Sequence, residues 1–154
     1  MPLTPGDEAP DFTLLDQHGE PFTLRASLEQ RRVRHFVYFY PKADTPGCTT
    51  QACGLRDASG EVGDTVILGI SPDPPAALAR FDARHGLGFT LLSDPDHAVA
   101  EAYGAWGEKR MYGRTYDGVI RSAYLVDEQG VLAEVWSKIS PKDTPKNLLR
   151  AVAA

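Results

Sequence analysis

The stretch His35-Phe36-Val37-Tyr38-Phe39-Tyr40-Pro41-Lys42-Ala43-Asp44-Thr45-Pro46-Gly47-Cys48-Thr49-Thr50-Gln51-Ala52-Cys53 holds both cysteines of the chain. Its first six residues carry aromatic and β-branched side chains on both faces, the pattern of a strand buried at the centre of a sheet. The run stops at Pro41 and at Pro46-Gly47, and a helix carrying Cys48 and Cys53 follows. Cys48 therefore falls in the first helical turn. There the unpaired backbone N–H groups and the positive end of the macrodipole favour a thiolate over a thiol. Gly47 lets the backbone approach a small ligand, Pro46 stiffens the loop, and Thr45 offers a hydroxyl that both donates and accepts. These parts suit a nucleophilic thiolate attacking a small polar oxidant. The plainer reading, a cysteine that is merely a small buried residue, suits a core position better than a helix start after a stiff loop.

Cys53 lies five residues further on. On an ideal helix that spacing separates the two Cα atoms by roughly 8–9 Å, whereas a disulfide needs them within about 7 Å. The pair cannot bond while both stay in one intact helix; if they bond, the helix must unwind. Thr49, Thr50 and above all Gly54 are weak helix formers, glycine costing ~1 kcal/mol against alanine. A segment of low local stability follows from that composition.

Outward from this stretch, the chain alternates strand and helix signals. Ala9 to Leu15, a turn at 16–20 and Pro21 to Leu24 form a β-hairpin at the start. Ala26 to Gln30 makes a helical turn. After the cysteine helix, Val66 to Ile70 is a second buried strand, and Ser71-Pro72-Asp73-Pro74-Pro75 opens a helix that Asp73 caps and Gly86 stops. Phe89 to Ser93 is strand-like, and Ser93 or Asp94 caps a helix from about Pro95 to Tyr103. Gly104 to Thr115 reads as irregular. Ser122–Val126 and Val131–Trp136 form a hairpin around Asp127-Glu128-Gln129-Gly130. Thr144 caps a last helix with Pro145 at its first position and Leu148, Leu149 and Val152 on the apolar side. The expected fold is α/β, a mixed central sheet with helices on both faces, in a single domain over residues 1–154.

Composition narrows the functional classes. Hydrophobic content of 42%, charged content of 24% and a net charge of −5 are those of a soluble globular protein without a nucleic-acid or acidic-membrane surface. Arg31, Arg32 and Arg34 are a solvated turn under this reading, since nucleic-acid patches are larger and sit on basic domains. No stretch approaches the roughly 18 apolar residues of a membrane span. The acidic, proline-bearing start, Met1 to Glu8, is unlike a secretory signal, so the cytoplasm is the expected compartment. A cysteine pair there is more often catalytic or metal-binding than a permanent staple. Two cysteines alone make a poor zinc site, and no metal or organic cofactor is expected.

The residues then carry a resemblance. Pro41-x-x-x-Thr45-x-x-Cys48 matches the active-site signature of the peroxiredoxins. The fuller run Tyr38 to Thr49 with Cys53 resembles the branch called bacterioferritin comigratory protein or peroxiredoxin Q. Gly6-Asp7-x-Ala9-Pro10-x-Phe12, Leu91-Leu92-Ser93-Asp94, Gly104-x-Trp106-Gly107-Glu108-Lys109 and Thr115 to Ser122 extend the match, in order, along the whole chain. The resemblance implies a thioredoxin-like fold with an N-terminal β-hairpin extension, and reduction of hydrogen peroxide and organic hydroperoxides. By position it makes Cys48 the peroxidatic and Cys53 the resolving cysteine, joined in an intramolecular disulfide. It places Thr45 and Pro41 in the pocket and Arg121 as the active-site arginine, which Gln51 orients. It further implies a monomer recycled by thioredoxin or a similar dithiol.

Three rivals remain. A thiol–disulfide oxidoreductase on this fold prefers two residues between its cysteines, where four stand here. A copper chaperone needs a further soft ligand, for which His18, His35, His85 and His97 are candidates only by number. A peroxide sensor that passes its disulfide to a partner uses the same chemistry as the enzyme. An aromatic rim of Phe39, Tyr103, Trp106 and Tyr116 would admit organic peroxides, though core packing accounts for these residues equally well.

Overall fold

All five residues of β3 (His35–Phe39) are buried. In the computed structural model, which describes residues 3–153, this strand lies inside the sheet with strands paired on both sides. Met1 and Pro2, part of the acidic start, lie outside the described residues. β3 pairs in parallel with β4 (Val66–Ser71) and antiparallel with β8 (Ser122–Val126). Further strands are β1 (Thr13–Asp16), β2 (Pro21–Thr23), β5 (Thr90–Ser93) and β9 (Leu132–Trp136), giving a seven-stranded mixed sheet ordered β2-β1-β5-β4-β3-β8-β9. The N-terminal hairpin extends one edge, with Leu15 opposite Ser93.

Strand alternation divides the core in two. Val37 and Phe39 face a cluster with Leu24 and Leu28 of α1 (Leu24–Arg31) and Ala100 of α4 (Ala98–Ala102). Phe36, Tyr38 and Tyr40 face the other cluster. That cluster takes in α2 (Pro46–Ala58), α3 (Pro75–His85) and α5 (Asp143–Ala153) through Cys48, Leu55, Leu78, Phe81 and Leu148. Helices on both faces of a mixed sheet are the architecture expected of the sequence.

Several local expectations need correction. The segment 104–115 is not irregular: β6 (Trp106–Met111) and β7 (Arg114–Val119) form a separate two-stranded hairpin. Tyr112 and Gly113 both have positive φ (52° and 75°) and supply its two-residue turn. Most of β7 is exposed, so no apolar alternation marks it. Asp73 does not cap α3, whose N-cap position is Pro74; its carboxylate accepts from Ser71 Oγ (2.8 Å) and from the Ala43 amide (2.7 Å) instead. α4 is shorter than expected, starting after His97 in the left-handed region (φ 51°), and Asp94 accepts from the amides of Val99 and Ala100. Thr144 lies inside α5 rather than at its cap, and its hydroxyl donates to the Ser140 carbonyl (2.8 Å).

Four buried tyrosines make this core sensitive to alkali. Burial, before any neighbouring charge, pushes the phenols of Tyr38, Tyr40 and Tyr103 well above their usual value and that of Tyr124 to about 12. Tyr103 and Tyr124 also donate short hydrogen bonds, 2.6 Å each, to the Pro10 and Tyr103 carbonyls. The unfolded chain loses these protons near pH 10 while the folded chain keeps them. Their stabilisation is therefore complete below pH 10 and falls as pH rises through the folded values, by about 1.4 kcal/mol per pH unit for each tyrosine. Thermal melts should lose Tm steeply between pH 10 and 11.5; a flat profile would contradict the assignment.

Candidate active site

The loop between β3 and α2 is tied down at three points. Asp73 holds the Ala43 amide. Asp44, left-handed at φ 61°, sets its carboxylate against His85 Nε2 (3.1 Å) and Arg84 Nη1 (3.6 Å) of α3. Thr45 Oγ1 donates to the Lys42 carbonyl at 2.7 Å. With its proton engaged there, the Thr45 hydroxyl is left to accept from a ligand. Pro41, half-buried, begins this loop. Thr45 is the N-cap residue and Pro46, with no N–H to satisfy, opens α2.

The first helical hydrogen bond runs from the Thr49 amide to the Thr45 carbonyl at 2.8 Å. The amides of Gly47 and Cys48 precede it and so have no carbonyl within the helix to bond. Cys48 is 1% exposed and shares its cluster with Phe36, Tyr38, Tyr40 and Leu55. A negative sulfur in such surroundings needs an opposing charge. Arg121 provides it from the short link between β7 and β8, donating from Nη2 to Cys48 Sγ at 3.4 Å. Its other terminal nitrogen, Nη1, donates to Gln51 Oε1 at 2.6 Å, and its carbonyl accepts from the Ile139 amide at 2.9 Å. The sequence reading that Gln51 orients Arg121 thus has a direct contact behind it.

Cys53 is free and half-buried one and a half turns along the same helix. Gly54 beside it has a role the sequence alone does not disclose. A Cβ built there would stand 2.7 Å from Pro145 Cγ, so the absent side chain is what admits α5 against α2. Gly54→Ala should gain ~1 kcal/mol of helix propensity and lose more to overpacking, which typically costs about 1–3 kcal/mol. A fall in Tm of about 2–4 °C is expected; a rise would mean that the contact with Pro145 relaxes freely.

Other expectations fare differently. Phe39 and Tyr103 belong to the cluster on the opposite face of the sheet from Cys48, and Trp106 packs against that cluster and stacks on His97 at 3.7 Å. They form no rim around the thiol, and Tyr116 is 41% exposed. His35 bonds Ser27 and the Val33 carbonyl, His85 meets Asp44, and His97 meets Glu101. Sequence reasoning attaches no role to Lys109 of β6. Burial chiefly, and then the charge of Arg121, hold its pKa below the usual lysine value, against an opposing pull from Cys48. Its presence in the motif run ending at Lys109 was the available signal.

A thiol at a helix start, facing a guanidinium on a sheet of this topology, defines a class: the thioredoxin-fold thiol peroxidases. Comparison with known proteins agrees. A model of the AhpC/TSA family matches residues 5–135. A putative peroxiredoxin Bcp of Haemophilus influenzae is 53% identical over 144 residues, covering 92% of this chain and 91% of that protein. Peroxiredoxin Bcp of Escherichia coli is 51% identical over 137 residues, covering 88% and 86%. A cysteine-to-serine mutant of Xanthomonas campestris peroxiredoxin Q superposes with a TM-score of 0.88 at 32% identity, covering 98% of each chain. The chain belongs to the AhpC/TSA family and, within it, to the Bcp/PrxQ peroxiredoxins, which are thiol-dependent peroxidases.

Proposed function

We propose that Cys48 is the peroxidatic cysteine, Cys53 the resolving cysteine, and Arg121 and Thr45 the residues that hold the peroxide. The observation that carries this reading is the 3.4 Å contact of Arg121 with Cys48 Sγ at the open start of α2. The Cys48 thiolate attacks the distal oxygen, an S–O bond forms as O–O breaks, and the leaving oxygen takes up a proton as water or an alcohol. Arg121 and the Cys48 amide donate to the charge moving onto that oxygen, while Thr45 accepts from the peroxide hydroxyl. Pro41 closes the pocket. The sulfenic acid on Cys48 then condenses with the Cys53 thiol, releasing water and leaving a disulfide. A dithiol reductant restores both thiols by exchange.

Bcp of Xanthomonas campestris has been described through its alkyl peroxide reduction activity, from trapped-intermediate and ligand complexes. On that likeness, organic hydroperoxides as well as hydrogen peroxide are proposed substrates here. Thioredoxin as the reductant, a monomeric single domain over residues 1–154 and a cytoplasmic location complete the proposal. Among the described residues, no helix is long and apolar enough to cross a membrane.

One equivalent of peroxide should give a Cys48–Cys53 disulfide by mass spectrometry, absent from either single cysteine mutant. Cys53→Ser should complete one turnover and then stall, with cycling on a thioredoxin system reduced at least about a hundredfold, since no disulfide is offered for exchange. Normal cycling of Cys53→Ser would remove Cys53 from the mechanism.

A further inference from the structure

Gln51 links more than Arg121. Its side chain is fully buried, and while Oε1 accepts from Arg121, Nε2 donates to Thr144 Oγ1 at 2.9 Å. Thr144, also fully buried, passes its own proton to the Ser140 carbonyl at 2.8 Å. Donor and acceptor roles are fixed along the whole chain. A guanidinium only donates, so Gln51 must turn its oxygen to Arg121 and its NH₂ to Thr144. Thr144 can accept there because its proton is already placed.

We propose that Thr144 is a positioning residue for the peroxidatic site. Through Gln51 it holds Arg121 on Cys48, and through the same bond it holds α2 wound against α5. The inference rests on the reading of Cys48 and Cys53 given above. Bonding of the two cysteines requires α2 to unwind between them, and Gln51 lies in that interval. Unwinding must break Gln51–Thr144 and part Gly54 from Pro145, both contacts with the first turn of α5. The hydroxyl of Thr144 thus favours the wound, peroxide-reactive arrangement over the unwound, disulfide-forming one.

Thr144→Val keeps the shape and removes the acceptor. The Gln51 NH₂ is then buried without a partner, and rotating the amide would only turn it against Arg121. In the unwound segment water satisfies the same group, so the substitution weakens the wound state selectively. The peroxide step, read in single turnover, should slow several-fold. Conversion of sulfenic acid to disulfide, read by rapid quench and mass spectrometry, should quicken about tenfold, equivalent to about 1.4 kcal/mol. Both changes raise the peroxide concentration at which half of Cys48 is lost to sulfinic acid, by tenfold or more.

Thr144→Ser should restore wild-type values in all three measurements. Leu28→Ala, on the far face of the sheet, should lower Tm and leave them unchanged. Gln51→Met strands no buried NH₂ and provides a second variant should Thr144→Val fail to fold. It removes the bond to Thr144 and the clasp of Arg121 together, so it should slow the peroxide step and quicken disulfide formation, though by less than Thr144→Val does. If Thr144→Val folds and both rates stay within twofold of wild type, or if disulfide formation in either variant is no faster than in wild type, the proposal is overturned. A wild-type chain that reacts at Cys48 but never forms the Cys48–Cys53 disulfide would instead overturn the reading of Cys53, and this inference with it.

Discussion

Cys48→Ser should abolish peroxide consumption, with a loss on the order of 10⁴-fold or more in the rate of peroxide reduction, the scale seen when a covalent nucleophile is removed. The substitution is nearly isosteric, so the amides of Gly47 and Cys48, Arg121 and the tied loop stay in place, and the loss reports sulfur chemistry rather than misfolding. A hydroxyl is not an effective nucleophile at neutral pH and forms no oxidised intermediate that a thiol can resolve. The remaining thiol, Cys53, is half-buried in mid-helix, away from the open helix end. Peroxide disappearance in the presence of excess dithiol measures the effect. Retention of more than about 1% of wild-type activity would mean that Cys53, or no cysteine at all, is the nucleophile.

Much of this site is readable from the chain alone, and the parts that are not share a physical cause. Cys48, Thr45 and Gln51 lie within one loop and two helical turns, where spacing fixes relative position. The two-faced β3 run likewise marks an interior strand of the sheet. Arg121 stands far from Cys48 in sequence and meets it only because β8 pairs with β3, with Ser122 opposite Phe39. An isolated arginine carries no local mark of that contact, and only the family resemblance identifies it.

The aromatic rim fails for a reason that strand periodicity already contains. Phe39 has the opposite parity to Phe36, Tyr38 and Tyr40, and so faces away from Cys48. The β6–β7 hairpin is hidden because its residues are mostly exposed and its turn uses a tyrosine at positive φ. Thr144 shows a different limit. Its hydroxyl suggests a helix cap, and it does bond the Ser140 carbonyl just ahead of the helix, but its second partner lies across the interface on α2.

Gly54 changes the account of the resolving step. By composition it marks a helix ready to break, and by contact it is also a point where Pro145 of α5 leaves no room for a side chain on α2. Low propensity and close packing act in opposite directions. The wound helix depends on its docking against α5 more than on its own residues. Under the proposed resolving role of Cys53, its access to an oxidised Cys48 is a matter of undocking as well as unwinding.

Arg121→Met is the second large effect, an expected fall of about 10²- to 10³-fold in the rate constant for the peroxide step, the scale of losing a preorganised donor to developing charge. Three separate losses contribute. The cation facing Cys48 Sγ disappears from a buried, largely apolar setting where charge is poorly screened. The donor to the leaving oxygen goes with it. Gln51 Oε1, fully buried, is left without the partner it meets at 2.6 Å. Arg121→Lys should recover only part of the rate, because a single ammonium cannot span sulfur and amide as the guanidinium fork does. The two cysteine chemistries should separate here. Cys48 of Arg121→Met, once oxidised, should still form its disulfide with Cys53 at least as fast as wild type, since the arginine clasp on the wound helix is gone. Rapid-mixing measurement of both steps checks this: a peroxide step within fivefold of wild type would remove Arg121 from the site, whatever the fate of the disulfide.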